Sequence, residues 1–148
     1  MIFFANESGQ AFSMVLLENA ARAVLDLSGA LDADLTIVLV DDVRMQALNK
    51  DFLGRDAPTD VIAFPADESD PETGRRYLGD VVISFKRAAE QAGERGHAVA
   101  AEMQLLVVHG VLHLLGHDHV GAGEKATMWA TQAEVLERLG VSPEIVHE

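Results

Sequence analysis

The feature that most constrains this chain is the run from Leu105 to Leu115, apolar throughout except for His109 and His113, set four residues apart. A helix over residues 98–115 built on this run is apolar nearly all round, and such a helix has to be enclosed by other elements. The run is interrupted by its histidines and too short to cross a bilayer, so the enclosing material must be protein. The sequence therefore predicts a buried central helix, with everything else arranged around it.

What can enclose it is read from the rest of the chain. Residues 1–6 suit a first strand. Phe12, Leu16, Ala20, Ala23 and Leu27 recur at helical spacing until Ser28-Gly29 closes that helix. Leu35 to Val40 is an aliphatic and β-branched run, a second strand, and Asp41-Asp42 can cap a helix in which Met45, Leu48 and Phe52 share a face, with Gly54 ending it. Val61 to Phe64 reads as a strand stopped by Pro65, residues 67–74 as an acidic turn-rich loop, and Tyr77 to Phe85 as the partner strand of a long-looped hairpin. After Ser84 the pattern is helical, with breaks at 93–96 and 116–123. In the last helix Ala126, Trp129, Ala133 and Leu136 make the expected inward stripe. Strands interleaved with helices early and helices gathered late predict an α+β fold, one small mixed sheet with helices packed on it, over residues 1–148 as a single hydrolase domain.

Composition narrows the class. At 148 residues with 49% apolar and 24% charged residues, the chain can bury a core without staples. It has no cysteine, which excludes disulfides and thiolate ligation and fits a reducing compartment; with no signal-like start, a cytoplasmic location and no membrane are expected. The formal charge of -13 repels phosphate backbones and argues against a general nucleic-acid binder, although a local basic patch is compatible with it.

The histidines carry the chemistry. Two histidines four apart on a helix lie about 6 Å apart at their β-carbons, so both rings can reach one ion. Gly116 follows one turn on, where a helix needs a residue that tolerates positive φ, and the turn it permits lets His119 supply a third nitrogen. Three neutral ligands leave a fourth tetrahedral position for water, the pattern of a catalytic zinc site. The alternative, three histidines at a histidine-rich helix end satisfied by backbone carbonyls, is weakened by position, since polar rings inside so apolar a helix are costly unless satisfied. His117 would replace His119 only if the helix continued through Gly116, and Asp118 is either a turn aspartate or a hydrogen-bond partner that fixes a ligand's tautomer. His97 and His147 have no partner at ligand spacing and are expected at the surface. The same histidine and glycine positions occur in metzincin proteases, but their general-base glutamate is Gly110 here, which moves no proton.

The run His109-Gly-Val-Leu-His113-Leu-Leu-Gly116-His-Asp118-His119 resembles the signature of the bacterial YbeY-type endoribonucleases, the rRNA maturation factors. Two more segments match in order: Leu48-Asn49 through Asp56-Ala-Pro58-Thr59-Asp60-Val61-Ile-Ala-Phe64-Pro65, and Leu78-Gly79-Asp80-Val-Val-Ile83. The resemblance runs from about Leu35 to the C-terminal helix. It implies an α+β hydrolase holding one Zn2+ through His109, His113 and His119. It also implies cleavage of single-stranded RNA, maturation of the 3′ end of small-subunit rRNA, ribosome quality control, and partners in the small ribosomal subunit. The chain departs from the family's pattern where Leu53 replaces an arginine, Ala63 a serine and His117 a tyrosine.

On this reading the ion activates water and polarises a phosphoryl oxygen, which accommodates glycine at position 110. Arg55, near the missing arginine, is the candidate to stabilise transition-state charge, with Arg75, Arg76, Lys86 and Arg87 as further backbone contacts. Asp80 either orients a side chain near the site or ends the Leu78-Gly79 turn. The alternatives are a zinc metallopeptidase-like hydrolase, or a ribosome-assembly factor with a structural zinc and weak or no nuclease activity.

Overall fold

The computed structural model describes residues 1–117 and 121–141. The elements run β1 (Ile2–Glu7), α1 (Met14–Leu27), β2 (Asp34–Val40), α2 (Asp42–Leu53), β3 (Val61–Ser69), β4 (Arg76–Ser84), α3 (Phe85–Arg95), α4 (Val99–Leu114) and α5 (Ala122–Arg138). The sheet order is β1-β2-β4-β3, with β1, β2 and β4 parallel and β3 antiparallel to β4. This is the expected mixed sheet in an α+β fold.

Alternation along the strands divides the apolar side chains between two faces. Leu35, Ile37 and Leu39 of β2 join Val81 and Ile83 of β4 in the main core, on the face covered by α1 and α4. Val40, Ile62 and Val82 turn the other way and meet Met45 of α2 in a small second cluster. Asp41 caps α2 through a 2.8 Å bond accepted from the Arg44 amide, as its position before the apolar stripe predicts.

Helix α4 is the central helix that the sequence demands. It packs against α1, α3, α5, β3 and β4. From Glu102 to Leu114 every residue is buried except His109 and His113, which are half-buried. Its close approach to the sheet depends on Gly110: a β-carbon there would stand 2.5 Å from Cγ1 of Val81. At the C-terminus Gly116 takes φ of 97°, with bonds from its amide to the His113 carbonyl at 3.0 Å and from the His117 amide to the Leu112 carbonyl at 3.0 Å. That pair of bonds is a Schellman ending, and it takes His117 off the helix. Among the described residues no single helix is long and apolar enough to cross a membrane; α3 and α4 reach that length only together, across a 118° bend.

Three expectations are corrected. Strand β3 does not stop at Pro65 but continues to Ser69, with a register shift between Pro65 and Glu68. It is the sheet's edge strand, where a missing amide proton breaks no ladder bond on the open side. Phe52 does not share a buried face with Met45: it is 65% exposed, its ring meeting that of Phe64 edge-on at a centroid distance of 5.3 Å. In α5 the inward residues are Met128, Gln132, Val135 and Leu136, while Ala126 is exposed and Trp129 and Ala133 only half-buried. A polar residue sits in the middle of that stripe, so a reading that sought only apolar positions placed Leu136 correctly and missed the rest of the buried face.

Candidate metal centre

His109 and His113 lie on successive turns of α4, the two half-buried positions in its otherwise buried stretch from Glu102 to Leu114. Their ring centroids are 4.6 Å apart and their planes cross at 71°. The two Nε2 atoms face each other at 3.1 Å. Two neutral imidazoles cannot present lone pairs to each other at that distance without repulsion; a proton or a cation has to lie between them. Two nitrogens held about 2.0–2.1 Å from one tetrahedral ion stand roughly 3.3 Å apart, so the pair fits a zinc-type ion.

The other nitrogen of His109, Nδ1, is 3.2 Å from Oε1 of Gln132 on α5. Gln132 is 1% exposed. It is the site residue that sequence reasoning missed. Its only signal was a polar residue interrupting an otherwise apolar helical face.

His119 and Asp118 lie outside the described residues, as does His147. Among the described residues no three histidine, cysteine or acidic side chains gather to hold a metal. The described part of the centre is therefore the His109–His113 pair and its support. His117 lines a separate cleft with Leu115 and Arg76.

Beside the pair is a cavity of 460 Å³, walled by Asp60 before β3, Arg87 and Arg95 of α3, His109 of α4, and Trp129 and Gln132 of α5. Arg87 has its Nε buried without a hydrogen-bond partner among the described residues, and its nearest acid is Asp42 at 3.6 Å. Asp60 accepts from Gln91 Nε2 at 3.2 Å and from the Val61 amide at 2.8 Å, which anchors the Pro58–Asp60 loop against α3.

The remaining sequence candidates are distributed elsewhere. Arg55 is exposed just after the Gly54 turn and does not line this cavity. Arg75 is engaged with Asp34, its Nε 3.1 Å from both carboxylate oxygens, and this guanidinium holds the Asp34 carboxyl down to about 2. Lys86 is largely exposed, 4.0 Å from Asp42. Asp80 accepts from the Tyr77 hydroxyl and belongs to the groove between the sheet and α2, across the sheet from His109. Desolvation, and then the bond to Asp80, raise the Tyr77 hydroxyl above its ordinary value. His97 is not a surface residue: Nε2 lies 2.8 Å from the fully buried carboxylate of Glu102 and the side chain is 14% exposed. The Glu102 carboxylate, in the first turn of α4, needs a partner that the helix itself does not supply.

Mixed sheet, enclosed helix and opened histidine pair define a class, an α+β protein with two imidazoles at metal-ligand separation. The chain belongs to the endoribonuclease YbeY family, whose model, described as Endoribonuclease YbeY, matches residues 4–140. A relative of that name from Pelotomaculum thermopropionicum is 46% identical over 131 residues, covering 86% of each chain. Another, from Moorella thermoacetica, is 42% identical over 129 residues, covering 82% of this chain and 81% of its own. The solution structure of TM1509 from Thermotoga maritima aligns with a TM-score of 0.62 at 26% identity, covering 100% of this chain and 97% of that one.

Proposed function

We propose that this protein is a metal-dependent endoribonuclease that cleaves single-stranded RNA in the maturation of rRNA. The observation that carries the chemistry is the convergence of His109 and His113 Nε2 at 3.1 Å, at the two half-buried positions of the buried stretch from Glu102 to Leu114. Family membership supports the RNA substrate. The small ribosomal subunit as partner, ribosome quality control and a cytoplasmic location go with the same reading; the family resemblance supports the first two, and the cysteine-free composition fits the third.

His109 and His113 would hold a single Zn2+ together with His119. When bound, the ion supplies Lewis-acid charge to polarise a phosphoryl oxygen and to acidify water. The chain's own contribution is placement. Helix α4 is held by α1, α3, α5, β3 and β4, which fixes the backbone under both rings and sets His109 at the cavity edge. Arg87, which lines this wall with its Nε turned to Asp42 and its side chain partly exposed, supplies a guanidinium for a phosphate there. Arg55, set in an exposed loop, serves at most an RNA strand extending beyond the cavity. Position 110 faces Val81 and admits no side chain, so a metzincin-type glutamate base has no room there. This observation disfavours the metallopeptidase reading.

The test is metal content by elemental analysis, paired with cleavage of a single-stranded RNA by protein as purified, stripped by chelator, and carrying His113→Ala. Zinc near one equivalent, with cleavage lost in both altered forms, is the expected result. Equal cleavage by all three would remove the metal from the chemistry. Ribosome co-sedimentation with zinc but no cleavage would select an assembly factor with a structural ion, the reading that Leu53 in place of arginine favours.

A further inference from the structure

We propose that Gln132 is a positioning residue: its carboxamide oxygen accepts the Nδ1 proton of His109 and fixes the tautomer that leaves the Nε2 lone pair facing His113. The inference rests on reading the histidine pair as a metal site.

Three observations converge on it. Gln132 is 1% exposed, on a face of α5 otherwise made of Met128, Val135 and Leu136, all buried. Burying a carboxamide among such side chains is unfavourable unless it is hydrogen-bonded, and a leucine would fill the same stripe without that cost. The oxygen end of the amide meets the ring, 3.2 Å from Nδ1. Oxygen only accepts, so the Nδ1 proton is held there and Nε2 is left without one. Finally, Nε2 of the same ring is the atom that meets His113 at 3.1 Å. A proton on Nε2 of His109 would occupy the direction an ion has to take.

The arrangement also ties the site to the fold. The ring belongs to α4 and its acceptor to α5, so correct docking of the two helices is what sets the ring's orientation. An imidazole whose far nitrogen is held by a fixed acceptor presents its ligand nitrogen in one direction and one protonation pattern, and losing such a partner costs about 10–100-fold in metal affinity. A neutral carboxamide does this without adding charge next to the ion.

The experiment compares full-length wild type, Gln132→Leu and Gln132→Glu by three measurements. Zinc affinity is taken from competition with a chromophoric chelator, the His109 tautomer from nitrogen-15 NMR of the metal-free protein, and folding from thermal melting. Wild type should carry the His109 proton on Nδ1. Gln132→Leu should lose that preference and bind zinc about 10–100-fold more weakly while still melting cooperatively; Gln132→Glu, which keeps an acceptor, should stay within about threefold of wild type. The proposal is overturned by a wild-type proton on Nε2, by a folded leucine variant that binds zinc as wild type does, or by equal losses in both variants. If the leucine variant does not fold, the wild-type tautomer and the glutamate variant still decide. Wild type that binds neither zinc, nickel nor cobalt would sink the metal reading and the role of Gln132 with it. Normal binding by wild type and the leucine variant sinks Gln132 alone.

Discussion

The two faces of the sheet are built to different standards. On one, α4 packs on β3 and β4 and α1 on β1, and Leu35, Ile37, Val81 and Leu112 are fully buried. On the other, α2 alone covers Val40, Met45, Ile62 and Val82, and leaves Val43, Phe52 and Leu53 exposed at 80%, 65% and 55%. The histidine pair belongs to the first face. Leu53, one of the three positions at which the sequence departs from the pattern it resembles, belongs to the second, whereas Ala63 packs against the main core. Two rings held at metal-ligand separation need a surround that cannot give, whereas an exposed position tolerates a change of chemistry without disturbing the fold.

This contrast can be broken by substitution. The largest effect is expected from Leu112→Ala in α4, a fully buried side chain whose loss leaves a cavity in the dense face. It should cost about 2–5 kcal/mol in chemical denaturation and exceed the cost of Met45→Ala on the thin face. Equal costs would show the faces to be equally tight, and the reverse order would make the thin face the tighter one. Next comes Gly110→Ala, whose new methyl must displace Val81; about 1–3 kcal/mol is expected, with weaker zinc binding as α4 lifts. Unchanged stability there would mean that α4 rides further from the sheet.

A smaller effect lies at the sheet's end. Asp34 is held down to about 2 by Arg75, below the ordinary carboxylate value, so its contribution is present above about pH 4 and is lost as pH falls toward 2. Asp34→Asn should therefore melt below wild type at pH 7, by less than Gly110→Ala does, and the gap should shrink as pH falls from about 4 toward 2. A gap that stays constant over that range would assign the loss to packing instead. The smallest change is Val43→Ser on the exposed side of α2, within about 0.5 kcal/mol by denaturation and without effect on zinc affinity.

What was legible in the sequence was local or periodic. The Leu105–Leu115 run announced a buried helix, the four-residue spacing put two rings on one side of it, and Gly116 marked its end; all three follow from backbone geometry that any surroundings would leave intact. The mixed sheet was legible because β-branched runs bounded by turns make strands whatever their neighbours are. Pro65 misled because whether a proline interrupts a strand depends on whether that strand lies at an edge, a property of sheet order. The α5 stripe and Gln132 misled for one shared reason. A buried polar side chain is recognised only by its partner, and that partner, His109, is 23 residues away. His97 followed the same rule, its carboxylate being buried at the start of α4.

The sequence by itself thus determined the element types, the central helix and the two ring positions on it, since these depend on repeat and spacing along one segment. Only the tertiary structure decided that Gln132 supports His109, that Arg87 rather than Arg55 walls the cavity, and that Asp80 lies across the sheet. Each of those relations joins segments whose separation in space is set by packing, and packing distances are not encoded in any local stretch of the chain.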